Sequence, residues 1–305
     1  MKKNITMTTF WLCLVLLTIT SCTNISNAKG KSISKVQKIH VEPEGIDTES
    51  YTNISIAEEN PMSIIKKIYV EGEAEGTDAE IRVNDIPIIY LKAGSDVKSV
   101  LIEINLLSGT NTLSIIPTGK EGAVITRIVA YKVGDWVDGR GGETLLVLRA
   151  KKGKTVTGTV ELSANRPEWE WLTADIVTDN TSHEEALKFA KSYYKSLKEG
   201  DTKVMVEALL PLHMDESKLD TEVTLEVRSK EIRDDFTGIT IDEKWKWDDI
   251  KDIVFHAKPV ANGRLYELLR EDGSSLFRTN LKDKQGRINF SRMIGRKDGK
   301  WQIYR

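Results

Sequence analysis

Cysteine is almost missing from this chain: of 305 residues, only Cys13 and Cys22 carry a thiol. Both lie near the N-terminus, so the remainder has neither a disulfide framework nor a cysteine-ligated metal centre. Histidine is scarce too, and His183, His213 and His256 are too scattered for metal-ligand spacing. Charge of one sign is absent. The 44 Lys and Arg face 46 Asp and Glu, and no basic cluster is interleaved with aromatics. That excludes the electrostatic footprint of nucleic-acid binding and any long-range pull toward anionic lipid. Also missing are Gly-x-Ser-x-Gly, His-Glu-x-x-His and His-x-Cys patterns, so no familiar catalytic constellation is present. No apolar run reaches the ~20 residues that a membrane-spanning helix needs.

What the N-terminus has is a short apolar run from Phe10 to Ile19, preceded by Lys2 and Lys3 and followed by small residues. A charged start, an apolar middle and a small-residue end are the plan of a secretory signal. Without Lys2 and Lys3 the balance is 42 basic against 46 acidic residues, a net charge of −4. The four residues Ile19-Thr20-Ser21-Cys22 resemble the lipobox of bacterial lipoproteins, with Ile19 where Leu is usual. The resemblance implies a signal peptide over 1–21, a diacylglyceryl group on the Cys22 thiol and Cys22 as the first mature residue. It also implies a further acyl chain on the Cys22 amine. Two or three chains hold a protein on a membrane stably, at ~0.8 kcal/mol per buried CH₂. Thr23 stands where an acid would favour inner-membrane retention. In a Gram-negative host the expected place is therefore the outer membrane, facing the periplasm. The other reading of the same residues is an ordinary secretory signal that ends near a cysteine.

Residues 22–60 are rich in Asn, Ser, Lys and Glu with little periodicity, and read as a flexible tether. A coil of that length spans ~35 Å on average.

From 61 to 163 the apolar residues alternate with period two, as in half-buried strands. Lys98 to Leu106 alternates this way. Asn84-Asp85 between Ile81-Arg82-Val83 and Ile86-Pro87-Ile88 predicts a tight hairpin. Pro87 cannot donate to a ladder and belongs on an edge or a bulge. Ser108 to Asn111 makes another turn, and further strands are expected at 123–133, 143–150 and 154–162. Seven or so short strands with frequent turns predict a β-sandwich. The segment Ile102 to Ile115, with Leu107, Gly109, Asn111 and Leu113, resembles the closing strands of galactose-binding-like jelly rolls. The resemblance implies fold more than sugar binding, which would need exposed loop aromatics. The candidates are Tyr69, Tyr90, Tyr131 and Trp136, most of them in expected strands. The Gly-rich run Gly134 to Gly142 has neither EF-hand nor P-loop spacing and reads as a long turn.

From 164 to 305 the period changes. Asn180-Thr181-Ser182 before Glu185 suggests a capping box. Ala186, Ala190, Tyr193 and Leu197 follow at helical spacing, and Gly200 ends the helix. Asp201 caps a second helix that Pro211 stops. Residues 213–240 fit strand or helix, and strands are expected at 249–259, 263–271, 275–282 and 287–304, with a turn at Asp298-Gly299. Two stretches carry a resemblance: Ala186 through Phe189, Tyr194 and Asp201 to Pro211, and the terminal Arg296 to Tyr304. Both resemble the nuclear-transport-factor-two-like cone, a family of enzymes, ligand binders and interaction domains, so fold alone does not choose among them. The fold class expected overall is α+β: an all-β sandwich, then helices on a curved antiparallel sheet.

Two Trp-x-Trp pairs stand out, Trp169/Trp171 and Trp245/Trp247. In extended chain each pair projects to one face. A pair can serve as a partner-binding platform, or it can be core that packs one domain on the other. His256 lies in an expected strand, and Tyr194 on the first helix. Trp245, Trp247, Tyr194 and His256 are the candidate ligand- or partner-binding residues, and Cys22 is the lipidation site. No cofactor, metal or nucleic acid is expected. The function expected is a lipid-anchored, non-enzymatic envelope protein that binds a protein partner. One form of it is an immunity protein against a delivered toxin. The alternatives are a glycan or small-ligand module, and an enzyme using the cone pocket through His256 or Tyr194 beside a carboxylate.

Overall fold

A computed structural model describes residues 66–305 apart from 138, 140, 152, 163–165, 221, 223, 242–245 and 280–287. The signal peptide, Cys22, the tether and Trp245 lie outside the described residues.

Among the described residues, three four-stranded antiparallel sheets and four α-helices make an α+β fold. The strands are β1 (Lys66–Glu75), β2 (Ala79–Val83), β3 (Ile86–Leu91), β4 (Lys98–Leu101), β5 (Gly109–Pro117), β6 (Ala123–Lys132), β7 (Glu143–Lys151) and β8 (Val156–Leu162). They form two sheets, β4-β1-β6-β7 and β3-β2-β5-β8. Their period-two apolar residues meet in one core, where Val70, Ile128 and Leu146 of the first sheet join Ile81, Leu113 and Ile115 of the second.

The β2–β3 hairpin turns where expected. Asn84 and Asp85 have φ of 51° and 63°, the doubly left-handed turn that matches strand twist. The Asn84 side chain is buried and fully used. Its amide donates to Asn105 O at 2.8 Å and Asn111 Oδ1 at 2.9 Å, while its carbonyl accepts from the Thr112 N–H at 2.9 Å. Pro87 sits on the edge strand β3 beside a register shift, so its missing N–H costs no ladder bond.

Lys98 to Leu106 is not one strand. β4 ends at Leu101, and Glu103–Asn105 form a 3₁₀ turn. The Glu103 carboxylate accepts the Ile68 N–H at 2.7 Å and pairs with Arg166. Both bonds draw the chain out of line, while Ile102 and Leu106 remain fully buried.

Four helices follow: α1 (Asn180–Glu199), α2 (Thr202–Ala208), α3 (Leu210–Leu219) and α4 (Leu225–Ile241). The cap of α1 is Asp179, whose carboxylate accepts the Ser182 N–H at 2.8 Å and its hydroxyl at 2.6 Å. Ser182 is therefore inside the helix, and Glu185 reaches Arg296 at 3.0 Å instead of closing a capping box. Gly200 takes the left-handed C-cap at φ 70°, and Asp201 caps α2. A Cβ at Gly200 would force an L-residue into that region. Gly200→Ala is expected to lower stability by ~1 kcal/mol; an unchanged thermal midpoint would contradict the assignment. Pro211 opens α3 as well as following α2, because its missing N–H is harmless in a first turn.

Strands β9 (Phe255–Val260), β10 (Leu265–Arg270), β11 (Met293–Lys297) and β12 (Lys300–Ile303) form the third sheet, ordered β12-β11-β10-β9. The strand expected from 249 starts only at Phe255, because Asp249 caps a 3₁₀ turn at Ile250–Asp252. Between β10 and β11, Ser275 and Arg278 join only through isolated bridges. One face of this sheet packs Ala257, Tyr266, Leu268, Ile294 and Ile303 against Ala186, Ala190 and Tyr194 of α1.

The opposite face joins the two halves of the chain. Val260, Leu265, Met293 and Tyr304 pack with Ile86, Trp169 and Trp171 in a third cluster. Trp169 and Trp171 are buried there, around a 3₁₀ turn at Glu170–Thr173, so packing and not a platform describes this pair. Polar bonds fix the orientation. Buried Glu267 accepts from Tyr90 Oη at 2.7 Å and Arg292 Nε at 2.8 Å. Asp85 accepts the Asn262 N–H at 2.8 Å, and Lys258 pairs with Glu80 at 2.7 Å.

Candidate functional site

The β9–β10 turn lies against Asp85, so Phe255 and Arg270 stand at the other end of the sheet. A cleft of about 360 Å³ opens there, lined by Asp248, Asp249, Asp252, Ile253, Val254, Arg270, Glu271, Asp272 and Arg278. Two of the four candidate binding residues form its inner support. Tyr194, from the buried stripe of α1, meets Trp247 edge-on at 5.4 Å, and Trp247 stacks on Phe290 at 5.5 Å. The Tyr194 hydroxyl donates to Asp248 O at 3.2 Å. Burial raises the pKa of that phenol, and Asp248 adds to the effect against the opposing Arg270. Trp247 is half-buried and leads directly into Asp248 at the cleft wall.

The floor is cationic and already paired. Arg270 donates to the Asp248 carboxylate and to Leu276 O at 3.2 Å. Arg278 pairs with Asp272 at 3.0 Å. The walls carry Asp249, Asp252 and Glu271, all exposed, around Val254, which is 62% exposed. Hydrogen bonds from the Lys251 N–H and ammonium hold the Asp249 carboxyl below its ordinary pKa. Five carboxylates against two guanidiniums and the Lys251 ammonium on Asp249 leave the cleft negative. It therefore suits a cationic group flanked by apolar surface. Among the described residues, no group of three or more His, Cys, Asp or Glu could hold a metal ion.

His256 is not brought to this cleft. It is exposed, and alternation along β9 turns it to the face opposite Ala257, away from Tyr194 and Trp247. Trp245 falls outside the described residues. Sequence reasoning missed Asp248, Arg270 and Arg278. The available signal was charge inside an apolar strand. β10 reads Leu-Tyr-Glu-Leu-Leu-Arg, and all six residues are buried. Two charged residues in such a strand must meet partners.

No protein-family model, curated protein or solved structure matches this chain. Among the described residues, no helix is long and apolar enough to cross a membrane.

Proposed function

We propose that this is a lipid-anchored bacterial envelope protein, without enzymatic activity, that binds a protein partner through the acidic cleft. The observation that carries the binding is the cleft itself. Its guanidiniums are neutralised from within, while Asp249, Asp252 and Glu271 face solvent beside an exposed Val254. A Lys or Arg of a partner, projecting from an apolar patch, meets the right charge and the right surface there. The anchor rests on Ile19-Thr20-Ser21-Cys22, and Thr23 favours the outer membrane, facing the periplasm. Immunity against a delivered toxin is one form of such binding.

The proposed architecture is a galactose-binding-like β-sandwich over 61–163 and a cone over 164–305. The shared core of the first two sheets, and α1 lying on one face of the third, support that division.

The test is a cross-linked pull-down of the protein from its own envelope, comparing the natural chain with Asp252→Lys combined with Glu271→Lys. Both side chains are exposed, so the exchange leaves the core intact. One dominant protein should be captured by the natural chain and lost by the variant. Equal capture by both, or wall fragments alone, rejects the cleft as the partner site. Cys22→Ser should move the protein out of the membrane fraction, and persistence there rejects the anchor.

A further inference from the structure

We infer that Trp136, on the stretch 133–137 that leaves β6, is a membrane foot, which lays the folded body against the lipid–water interface of the bilayer that holds its own anchor. The inference rests on the lipoprotein reading above.

Trp136, in the β6–β7 connection, is 84% exposed. A large aromatic left in water is costly, and the chain on either side of it is tied to β6. Asp135 closes a turn on Lys132: its carboxylate accepts the Lys132 N–H at 3.0 Å, and its own N–H donates to Lys132 O at 3.0 Å. Arg127 donates to Gly139 O, and is itself held at 2.8 Å by Glu71, which is 1% exposed and accepts from Tyr131 Oη at 2.6 Å. Gly142, at φ 76°, returns flat against the sheet, where a Cβ would collide with Val129 Cγ1. Asp135, Gly139 and Gly142 are thus each held against β6, on either side of the exposed indole. Val133 at the start of the connection is 46% exposed, and Val97, which lies against Gly139, is 42% exposed. Both belong to or lie against the same connection and add exposed apolar surface to it.

The occupant follows from where the chain enters. Lys66 pairs with Lys132 across β1 and β6. The segment that begins at the lipidated cysteine therefore reaches the fold beside the strand end from which the foot springs. Residues 23–65 separate the two, and at ~3.3–3.6 Å per residue they reach beyond 100 Å when extended. The anchor alone then fixes neither height nor orientation. Indole rings favour the lipid–water interface. Tethering makes even a weak contact intramolecular, so a single aromatic and its apolar neighbours suffice to orient the body. The side chains that meet the bilayer, Trp136 and Val133, are uncharged, so the contact is expected to be insensitive to salt.

The experiment uses the full lipidated protein in phosphatidylcholine–phosphatidylglycerol vesicles carrying brominated acyl chains, which quench indoles at the interface. Bromine-dependent quenching should appear in the natural protein, persist at high salt, and be mostly lost in Trp136→Ser. The exposed position makes that variant safe for folding. Flotation with the vesicles without quenching, or quenching unchanged in Trp136→Ser, overturns the foot alone and leaves the ring for a glycan or a protein. Failure to float with the vesicles overturns the anchor reading and the foot together.

Discussion

Trp169→Ala should lower the free energy of unfolding by ~3–5 kcal/mol, the range for removing a fully buried aromatic from a core that cannot collapse. The ring has no exposed surface and sits in the cluster where Ile86 of the first half meets Val260, Leu265 and Tyr304 of the second. Its Nε1–H donates to Leu106 O at 2.5 Å, so alanine also strands a buried carbonyl. Trp169→Phe keeps most of the ring and loses the bond, and should cost less, about 1–3 kcal/mol. Urea denaturation followed by circular dichroism separates the two. A loss below ~1 kcal/mol for alanine would mean that the halves do not depend on this contact.

The second large effect is expected at the last residue of the chain. Arg305 is nearly buried, and its guanidinium ties together three parts of the protein. It donates to Asp215 Oδ2 of α3 at 2.8 Å, to Ile104 O of the first half at 2.7 Å and to Tyr304 O at 2.6 Å. Burial lowers the pKa of this guanidinium, while Asp215 opposes that effect. Asp215 is fully buried and also accepts the Glu170 N–H at 2.8 Å. Removing the Arg305 cation leaves this carboxylate the weaker support of the more exposed Lys218 at 3.3 Å. Arg305→Ala should therefore cost ~3–5 kcal/mol, because breaking a buried pair strands the remaining charge. Arg305→Met combined with Asp215→Asn removes both charges and keeps an acceptor for Glu170. This double variant should recover at least about half of the loss, since neutral, well-packed replacements of buried pairs are often tolerated. Equal instability of the single and double variants would show that packing, and not the stranded carboxylate, sets the cost.

Elements governed by neighbours in sequence are legible from the residues alone. Asn84-Asp85 tolerates positive φ and turns the hairpin; Gly200 and Asp201 end one helix and cap the next. Where a distant partner competes, local pattern misleads. Glu103 bends Lys98 to Leu106 away from a strand by bonding to Ile68 and Arg166. Asp179 takes the cap that local pattern assigns to Ser182 by bonding both its N–H and its hydroxyl. Val223, Leu225 and Val227 alternate as in a strand, yet Leu225–Ile241 is helical. A few residues of alternation cannot separate the two when a single face is buried.

The candidate site divides in the same way. Tyr194 and Trp247 can be picked from sequence as aromatics at helical or Trp-x-Trp spacing, and they meet. His256 is as visible, and points elsewhere. The acidic cleft needed the tertiary structure, because Asp248, Arg270 and Arg278 come from separate segments and have meaning only as a charge balance. The sequence by itself determined the Asn84-Asp85 turn, the Gly200 end of α1, the Asp201 cap of α2 and the cysteine-poor composition, since these depend on residues a few positions apart. Tertiary structure decided which aromatics are buried at the junction, which carboxylates face water and which way Trp136 points, because burial and charge pairing are set by residues far away along the chain.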